Sequence, residues 1–445
     1  MTTRQARTLV SFSAILLAMA YVHSALLVCV FMFLIPLFCV VLDNSIEPIK
    51  DALLWGLVFW TLHYYGIIRV IYEKGEGQWR LAAGVFLILY TALYVVLWFF
   101  FSTWLTKMRS SFCKLMVWCG TTLMYFYTVQ HHIFFIFNQD FGYSFAYPTI
   151  LLAHAPKTLF LLPVLGRHLY LLLIIVSSAC AAYAIHIRRL LPLVGCALAL
   201  LPLGAGFLNT VTHKAPAEIK LFGYAAPQER TYSNAYECAL IINEKITELA
   251  IRHPEVLYIV TPESAFPFFV NTCPEAISLW EHNALCDSRT LFLGGYRSSA
   301  NGAFHNSLFC IQKSRITKPY DKCSLVPFIE YFPWSYAKCI RNLFLLNKNE
   351  FAKSNCAPQP LILSPTISVL PLLCSDLYFD TSLPLSTIPI LCAVNDRWFT
   401  ATYMQRLMYL YAKYKCMELN RDIIYVAYSR AIWISPSTEF WPLQT

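Results

Sequence analysis

Residues Leu9 to Leu42 read LVSFSAILLAMAYVHSALLVCVFMFLIPLFCVVL, and this apolar stretch decides the class of the protein. Crossing a hydrocarbon core of about 30 Å takes roughly 20 apolar residues in a helix, so the stretch is too long for one span. We predict two spans, separated near Tyr21-Val-His-Ser24. The first part of the sequence therefore predicts a helical membrane domain.

More apolar stretches follow at helical length, and they bring the expected number of transmembrane helices to about seven. They are Ala52–Tyr72, Leu81–Leu105, Leu115–Val129, His168–Ile185 and Leu190–Leu208. The segment Phe134–Leu165 is also apolar, but it carries Asn138, Asp140 and three prolines. Because those residues disfavour a straight helix, we predict a re-entrant or interfacial element there.

The composition divides the chain at about residue 212. The whole sequence is 58% hydrophobic and 13% charged, which is too apolar for an ordinary soluble protein. The excess lies between residues 8 and 208, after which charged residues, Gly, Pro and Asn recur as in a globular domain. We therefore predict a transmembrane domain over residues 1–212 and a second domain over residues 213–445.

The net charge of +9 could indicate a nucleic-acid partner, but no basic face with interleaved aromatic residues accompanies it. The cations instead fall in loops between predicted spans. With seven spans, three of these loops lie on one side, which should be cytoplasmic. The loops contain Arg4 and Arg7; Lys107, Arg109 and Lys114; and Arg188 and Arg189. The second domain should then lie outside the cytoplasm, and we expect no nucleic acid as a partner.

The sixteen cysteines include ten between Cys238 and Cys416, in the domain predicted to lie outside the cytoplasm. Disulfides are possible in such a compartment, although their pairing does not follow from the sequence. No C-x-x-C motif occurs, which argues against a zinc or thioredoxin-type site. We see no nucleotide-binding loop either, so no metal and no cofactor are expected.

Short apolar strands alternate with helical patterns in the second half of the chain. The predicted strands are Leu257–Val260, Thr290–Leu293, Ser307–Gln312, Val369–Cys374 and Ile388–Val394, and a helix is predicted over Thr402–Leu419. This alternation is typical of a layered α/β domain.

Three polar residues stand at strand ends or in loops, where functional groups are often presented. Glu263 follows an apolar strand and a proline, Lys322 lies in a proline-containing loop, and Cys374 ends another strand. A thiol nucleophile needs a base and a donor for the oxyanion that it creates, which a carboxylate and an ammonium can supply. The lysine should also lower the pKa of the thiol. Taken singly, such residues are more often a core cysteine, a solvated turn glutamate and a surface lysine.

Their surroundings closely resemble the signatures of the apolipoprotein N-acyltransferase family, a membrane-bound branch of the nitrilase superfamily. The matching segments are, in order, Thr261-Pro-Glu263-Ser-Ala-Phe-Pro267, Tyr320-Asp-Lys322-Cys-Ser-Leu-Val-Pro-Phe-Ile-Glu330-Tyr-Phe-Pro333, Cys374 and Val394-Asn-Asp-Arg-Trp-Phe399. His305-Asn-Ser-Leu308, Met417-Glu-Leu-Asn-Arg421 and Phe141-Gly-Tyr-Ser144 are similar to that family as well. The resemblance covers most of the chain and is weakest in the first hundred residues.

This resemblance implies an α-β-β-α sandwich for the second domain and a ping-pong acyl transfer. Cys374 would attack a phospholipid ester, and the α-amino group of a lipoprotein's diacylglyceryl-cysteine would then accept the acyl chain. Glu263 would act as general base, and Lys322 would stabilise the oxyanion. The implied partners are a phospholipid donor, a diacylated apolipoprotein acceptor and membrane lipid. The implied location is the bacterial cytoplasmic (inner) membrane, with the catalytic domain on its extracytoplasmic face.

The resemblance also implies accessory positions. Glu330 would position Lys322 or a substrate, and the Ser375 backbone N–H would help to hold the oxyanion; Asp376, Asn395 and Trp398 would support the site or position substrate. Ser375-Asp376 stands where the family usually has Tyr-Glu, and Thr261 stands in place of a Trp. The chain ends at Thr445, so we expect a shortened C-terminus without the family's final transmembrane helix.

Two other functions are compatible with the same residues. A membrane-tethered amidase of the nitrilase superfamily would use Glu263, Lys322 and Cys374 with water as the acceptor, although an amidase has no need of a lipid-facing half. A degenerate, non-catalytic member would bind lipid or lipoprotein, but a site without activity has no physical reason to keep all three residues.

Overall fold

A computed structural model describes residues 1–74, 80–107, 110–132, 144–208, 216–227, 232–281, 288–312, 315–317, 319–326, 329–331, 350–354, 357–379, 383, 387–400, 402–436 and 440–444. These residues form two compact units. The first unit comprises Met1–Thr210 and Ala401–Glu418, and the second comprises Val211–Phe332, Leu345–Thr400 and Leu419–Thr445. The predicted domain boundary at residue 212 lies outside the described residues and stays a prediction.

The α-helices are α1 (Thr3–Val22), α2 (Cys29–Met32), α3 (Leu34–Leu42), α4 (Pro48–Lys74), α5 (Arg80–Thr106), α6 (Ser111–His132), α7 (Leu162–Ile187), α8 (Leu191–Gly204), α9 (Ala235–Arg252), α10 (Pro274–Glu281), α11 (Ser375–Tyr378) and α12 (Tyr403–Leu419). The strands are β1 (Phe222–Tyr224), β2 (Tyr258–Val260), β3 (Phe266–Phe269), β4 (Thr290–Ser298), β5 (Phe304–Gln312), β6 (Arg315–Ile316), β7 (Tyr320–Asp321), β8 (Leu361–Ile362), β9 (Ser368–Leu373), β10 (Ile390–Val394), β11 (Ile423–Ala427), β12 (Arg430–Ile434) and β13 (Phe440–Pro442).

Five helical segments among the described residues are long and apolar enough to cross a membrane: Thr3–Val22, Ser24–Leu42, Pro48–Glu73, Leu81–Thr106 and Leu162–Ile187. The predicted break in the first apolar stretch is confirmed, because α1 ends at Val22 and His23 has an extended backbone. The predicted spans near Leu115–Val129 and Leu190–Leu208 are helices as well, α6 and α8. The total of seven spans stays a prediction.

The predicted re-entrant segment Phe134–Leu165 falls partly on residues 133–143, which lie outside the described residues. From Ser144 onward the chain forms short 3-10 helices, including Pro148–His154 and Pro156–Leu159. Each of these two begins with a proline, whose fixed φ suits the first helical position. A straight span is therefore absent from Ser144 to Leu159, where prolines divide the described chain into short turns.

The helix α12 packs within the first unit through polar contacts on its inner face. Arg167 on α7 forms a two-pronged ion pair with Glu418, and its Nη2 lies 2.6 Å from Oε2. Lys415 Nζ lies 3.0 Å from the same Oε2. Thr149 donates a hydrogen bond of 3.0 Å to the hydroxyl of Tyr414. Glu418 of α12 is thus paired with Lys415 of the same helix and with Arg167 of α7.

The second unit contains two mixed sheets. In the first, β1, β2 and β4 are parallel, β5 is antiparallel to β4, β6 and β7 pair with β5, and β3 pairs with β4. In the second, β9, β10 and β11 are parallel, with β8 at one edge and β12 and β13 at the other. Parallel strands place their carboxyl ends at one edge of each sheet, where ligands commonly bind in α/β folds.

The two sheets pack face to face through a shared apolar core, which includes Phe222, Phe292, Leu373, Leu391 and Ile424. The other face of the first sheet is covered by α9 and α10, and that second core contains Ile242, Ile246 and Trp280. The helices α9 and α10 form one layer and the two sheets form two more, which gives three layers of the expected α-β-β-α arrangement. The prediction of an apolar helical half followed by a layered α/β domain is confirmed.

Candidate active site

Glu263 follows β2 on a tight turn that its neighbours enforce. Ser264 takes a φ of 55°, in the left-handed region. Gly294 on the adjacent strand β4 lies directly against the turn, because a Cβ at this position would come within 2.2 Å of the Pro262 carbonyl oxygen. Only glycine allows so close an approach between the two backbones. The turn directs Glu263 into the interior, where its side chain is buried.

Lys322 follows β7 and is held beside β5 by its backbone N–H, which donates to the Asn306 carbonyl oxygen at 2.9 Å. Its Nζ lies 2.7 Å from Glu263 Oε1 and 2.9 Å from Glu330 Oε1. Asn306 Nδ2 donates to the same two oxygens, at 2.8 and 2.9 Å. The two carboxylates are therefore held together by one ammonium and one amide. We call Glu263, Lys322, Glu330 and Asn306 the carboxylate cluster.

Backbone donors occupy the remaining oxygens of both carboxylates. The Asn395 N–H donates to Glu263 Oε2 at 2.9 Å, and the Val326 N–H donates to Glu330 Oε2 at 2.7 Å. A buried carboxylate is tolerated only when it is paired and hydrogen-bonded. Each carboxylate oxygen of the carboxylate cluster meets that condition, so the group is rigidly oriented before any substrate arrives.

Cys374 ends β9 in a strained backbone conformation, with φ 42° and ψ −98°. Such a conformation costs a non-glycine residue on the order of 1–3 kcal/mol. Two hydrogen bonds stabilise it: the Cys374 N–H donates to the Ala393 carbonyl at 2.9 Å, and its own carbonyl accepts from the Leu377 N–H at 3.0 Å. The strand therefore turns sharply into α11 at the thiol. Backbone strain of this kind occurs repeatedly at functional sites.

The pKa of the Cys374 thiol is well above its ordinary value. Burial raises it most, the negative charge of Glu263 raises it further, and Lys322 lowers it by less than these two together. Lys322 thus lowers the pKa of the thiol as expected, but burial and the charge of Glu263 outweigh its effect. The pKa of Lys322 itself is raised well above its usual value: burial lowers it, but Glu263 and Glu330 outweigh burial. At rest the site therefore holds a thiol and an ammonium.

Asp376 joins the turn at Cys374 to the segment that carries Lys322. Its carboxylate accepts from the Tyr320 hydroxyl at 2.7 Å and from the Leu373 N–H at 3.1 Å. It also accepts from the backbone N–H groups of Cys323, at 3.0 Å, and Ser324, at 2.6 Å. Although it is shorter than the usual glutamate at this position, Asp376 reaches four donors. Burial raises its pKa to about 6, against the opposing effects of Lys322 and of these hydrogen bonds.

The other accessory residues differ in how they contact the carboxylate cluster and its supporting segments. Ser375 donates its hydroxyl to the Ser324 carbonyl, which adds a second link between the same two segments. Asn395 contributes its backbone N–H to Glu263, as described above, while its side-chain oxygen accepts from the Arg397 N–H at 3.3 Å. Trp398 is half-buried in the 3-10 helix Arg397–Phe399 and makes none of the hydrogen bonds described for the carboxylate cluster.

Sequence reasoning overlooked Asn306 and Tyr320 as members of the site. Both lie in segments quoted for the family resemblance, but neither carries a charge or a nucleophile. The pairing of Ser307 with Asp321 brings β5 and β7 together and thereby places Asn306 beside Lys322. Arg297 holds Asp321 in an ion pair at 2.5 Å, which fixes the start of the Lys322 segment. The family resemblance of His305-Asn-Ser-Leu308 pointed to this segment, but the strand register is what places Asn306 beside Lys322.

Comparison with known proteins gives several related sequences. The apolipoprotein N-acyltransferase of Caulobacter vibrioides is 30% identical over 180 residues, which is 37% of this chain and 34% of that protein. The protein of the same name from Brucella suis is 26% identical over 236 residues, 49% of this chain and 43% of the relative. That from Nitrosomonas europaea is 25% identical over 215 residues, 47% of this chain and 42% of the relative.

The chain is similar to apolipoprotein N-acyltransferases. The resemblance that the motifs predicted is thereby confirmed, although the chain spans less than half of the length of each of these relatives. No protein-family model matches the chain. Among solved structures, it is similar to a carbon-nitrogen hydrolase from Helicobacter pylori, with TM-score 0.37 and 10% identity over 49% of this chain and 82% of that one. Nit3 of Saccharomyces cerevisiae gives a TM-score of 0.35 and 11% identity, over 49% of this chain and 83% of that one.

Proposed function

We propose that this protein is an apolipoprotein N-acyltransferase. In this proposal it transfers an acyl chain from a phospholipid, through a thioester on Cys374, to the α-amino group of a lipoprotein's diacylglyceryl-cysteine. The observation that carries the proposal is the buried carboxylate cluster, in electrostatic contact with a strained, buried thiol. The relatives named as acyltransferases and the apolar helices of the first unit support the same activity.

The first step needs a base, because the raised pKa of Cys374 keeps the thiol protonated. Glu263 takes the thiol proton as the sulfur attacks the ester carbonyl of the phospholipid. The ammonium of Lys322 has three N–H donors, and two of them are used on Glu263 and Glu330. The third is left for the oxyanion of the tetrahedral intermediate. Collapse of that intermediate breaks the ester C–O bond, and Glu263 returns its proton to the departing lysophospholipid hydroxyl.

In the second step the amine of the lipoprotein attacks the thioester carbonyl. Glu263 accepts a proton from the attacking nitrogen, Lys322 again stabilises the oxyanion, and the C–S bond breaks to give the amide. The proton then returns to the sulfur, which restores the thiol. Glu330 and Asn306 take no proton in this scheme. Glu330 holds the Lys322 ammonium, and Asn306 donates to Glu330 and so fixes its position.

We place the protein in the cytoplasmic (inner) membrane of a bacterium, with the second unit on the extracytoplasmic face. The support is the charge of the loops at Arg4, Arg7, Lys107 to Lys114, Arg188 and Arg189. A cysteine engineered at Arg188 should resist an impermeant thiol reagent added from outside, in a variant whose other reactive cysteines are replaced. Modification of that residue from outside would reverse the orientation.

Intact mass spectrometry tests the proposed function directly. Phospholipid alone, without an acceptor amine, supports only the first step, so the thioacyl-enzyme should accumulate. We expect one added acyl chain that hydroxylamine removes. The Cys374→Ser variant should show no added mass, because a hydroxyl is the poorer nucleophile and keeps its proton.

The same experiment separates the alternative functions. An amidase admits water to the acyl-enzyme, so its acyl mass would disappear during incubation and free fatty acid would be released. A non-catalytic binding module would keep its unmodified mass while phospholipid is bound. Either outcome with folded protein would overturn the proposal, whereas a stable, hydroxylamine-sensitive acyl mass that an added lipopeptide amine removes would establish it.

A further inference from the structure

A cavity of about 350 Å³ lies in the second unit, next to the strand β3 that follows Glu263 in the chain. We call it the aromatic pocket. It is lined by Pro267, Phe268, Phe269, Thr272, Cys273, Tyr296 and Phe351. Its volume falls within the range of about 300–1,000 Å³ that is usual for small-molecule sites. The lining residues carry no charge, so the pocket is suited to an apolar ligand.

Tyr296 lines the aromatic pocket and also contacts the residue that follows Glu263. Its ring lies 5.0 Å from that of Phe351 and 6.2 Å from that of Phe269, between ring centres. Its hydroxyl interacts with the Ser264 side chain, next to Glu263. Burial raises the pKa of Tyr296 most, and the charges of Glu263 and Glu330 raise it further. Tyr296 therefore connects the aromatic pocket to Ser264, the residue that follows Glu263.

A second connection runs through the backbone of residues 350–354, which we call the strap. The N–H of Phe351, a pocket residue, donates to the Glu330 carbonyl oxygen at 2.8 Å. The N–H of Ser354 donates to the Lys322 carbonyl oxygen at 3.0 Å. The strap is anchored to the first sheet as well, because the Ala352 N–H donates to the Phe304 carbonyl at 2.6 Å. The strap, which contains the pocket residue Phe351, is therefore hydrogen-bonded to the backbones of Glu330 and Lys322.

The chemistry of the lining excludes the charged parts of both proposed substrates. A phosphate headgroup needs cationic or N–H donors, and an ammonium group needs carboxylate or carbonyl acceptors. Phenyl rings, a proline and a thiol-bearing side chain instead favour hydrocarbon, which gains roughly 0.8 kcal/mol for each methylene removed from water. We propose that the aromatic pocket holds part of the acyl chain that Cys374 carries, and so selects acyl length. This inference rests on the proposed function and assigns one of its subsites.

Filling the aromatic pocket should shorten the preferred acyl chain. In Thr272→Trp, an exposed residue at the pocket is replaced by a large ring that occupies part of the cavity. Purified full-length protein is mixed with phosphatidylethanolamine carrying either octanoyl or palmitoyl chains, and the rate of thioester formation is measured for each. The palmitoyl-to-octanoyl rate ratio should fall about tenfold, which corresponds to displacing roughly two methylenes. Phe268→Ala enlarges the pocket and should raise the same ratio.

Thr366→Trp is the matched control, because Thr366 is exposed in the turn between β8 and β9 and the ratio should not change there. The assay also separates the two proposals. If the wild-type protein forms no thioester with either lipid, the proposed function fails. If it forms thioesters but the ratio stays the same in both Thr272→Trp and Phe268→Ala, the pocket proposal alone is wrong. Opposite shifts in the two variants, with the control unchanged, support it even where one variant is less stable.

Discussion

The two units each contain a buried ion cluster, and the clusters are opposite in charge. In the second unit, one cation, Lys322, lies between two carboxylates, Glu263 and Glu330. In the first unit, one carboxylate, Glu418, lies between two cations, Arg167 and Lys415. All of these side chains are at most 13% exposed. The cluster of the first unit is somewhat more exposed than that of the second, and the main difference between the two clusters is their composition.

The surplus charge determines what each cluster can do. In the proposed reaction, the surplus carboxylate of the second unit takes a proton from the thiol of Cys374, and the lysine stabilises the negative charge that follows. In the first unit both cations stabilise the ionised form of Glu418, whose pKa they hold below its usual value although burial opposes them. That cluster joins α7 to α12. We infer that the cluster of the first unit stabilises the packing of α7 against α12. The cluster of the second unit instead serves the proposed reaction, at a cost in stability.

The largest effect is expected for Lys322→Met. Loss of an oxyanion donor typically lowers a rate on the order of 10²–10³, and the variant also leaves two carboxylates facing one another. The rate of thioester formation per folded protein, measured by intact mass, checks this. Lys353→Met is the matched control, because Lys353 is exposed on the strap. A Lys322→Met variant that keeps more than about a tenth of the wild-type rate would show that Lys322 is not the oxyanion donor.

Glu418→Gln should damage stability instead of chemistry. Breaking a buried ion pair by removing one partner costs about 3–5 kcal/mol, because the other charges stay buried. Denaturant unfolding in detergent should show this loss, while thioester formation per folded protein stays unchanged. Since the folded pKa of Glu418 is lowered, its contribution is present above the ordinary value of 4.5 and is lost as the pH falls further. A loss of rate at full stability would contradict the assignment.

Asp376 provides a pH dependence of the opposite sign. Its pKa is raised from 3.8 to about 6, so between these values the folded state keeps a proton that the unfolded state has released. Stability should therefore fall as the pH rises through this window, by at most about 3 kcal/mol at 1.36 kcal/mol per pKa unit. Thermal unfolding of the wild type and of Asp376→Asn, compared across the window, isolates this contribution. An equal slope in both proteins would exclude Asp376 as its source.

Glu330→Gln should have the smallest effect on catalysis. Its role is to position Lys322, and a neutral amide oxygen can still accept one hydrogen bond from the ammonium, so we expect about a tenfold loss, or 1.4 kcal/mol. Thioester formation rates for Glu330→Gln and Lys322→Met, measured side by side, rank the two roles. If the Glu330 variant is the slower one, the assigned roles are reversed.

The sequence indicated Glu263, Lys322 and Cys374 through the family resemblance of the segments around them, because strand ends and loops alone left each residue open to a purely structural role. Glu263, Lys322 and Cys374 do meet in one buried site. The apolar helices and the alternation of strands and helices in the second half followed from the hydrophobic pattern, whereas the α-β-β-α stacking was implied by the resemblance. Local pattern is enough for such features, since the edge of a parallel sheet gathers the residues that follow its strands.

The sequence was not sufficient where the outcome depended on the balance between distant groups. The pKa of Cys374 rises because burial and Glu263 together outweigh Lys322, and neither burial nor distance can be read from a motif. Asn306 reaches the site through the register of β5 and β7. Likewise, α12 follows the strands of the second unit in sequence but packs with the first, which its mixed charged and aromatic pattern did not predict.

If the aromatic pocket holds the acyl chain as proposed, the strap links the choice of substrate to the rate of turnover. The backbone N–H groups of Phe351 and Ser354 donate to the carbonyl oxygens of Glu330 and Lys322, so a movement of the strap would also move the two residues that the proposed mechanism places at the oxyanion. Binding energy gained far along a hydrocarbon tail can then appear as a higher kcat, as expected when remote contacts help to orient the reacting groups. On this proposal, adaptation to membranes of different chain length should alter Phe268 or Thr272 before Phe351, because these two residues line the aromatic pocket without belonging to the strap.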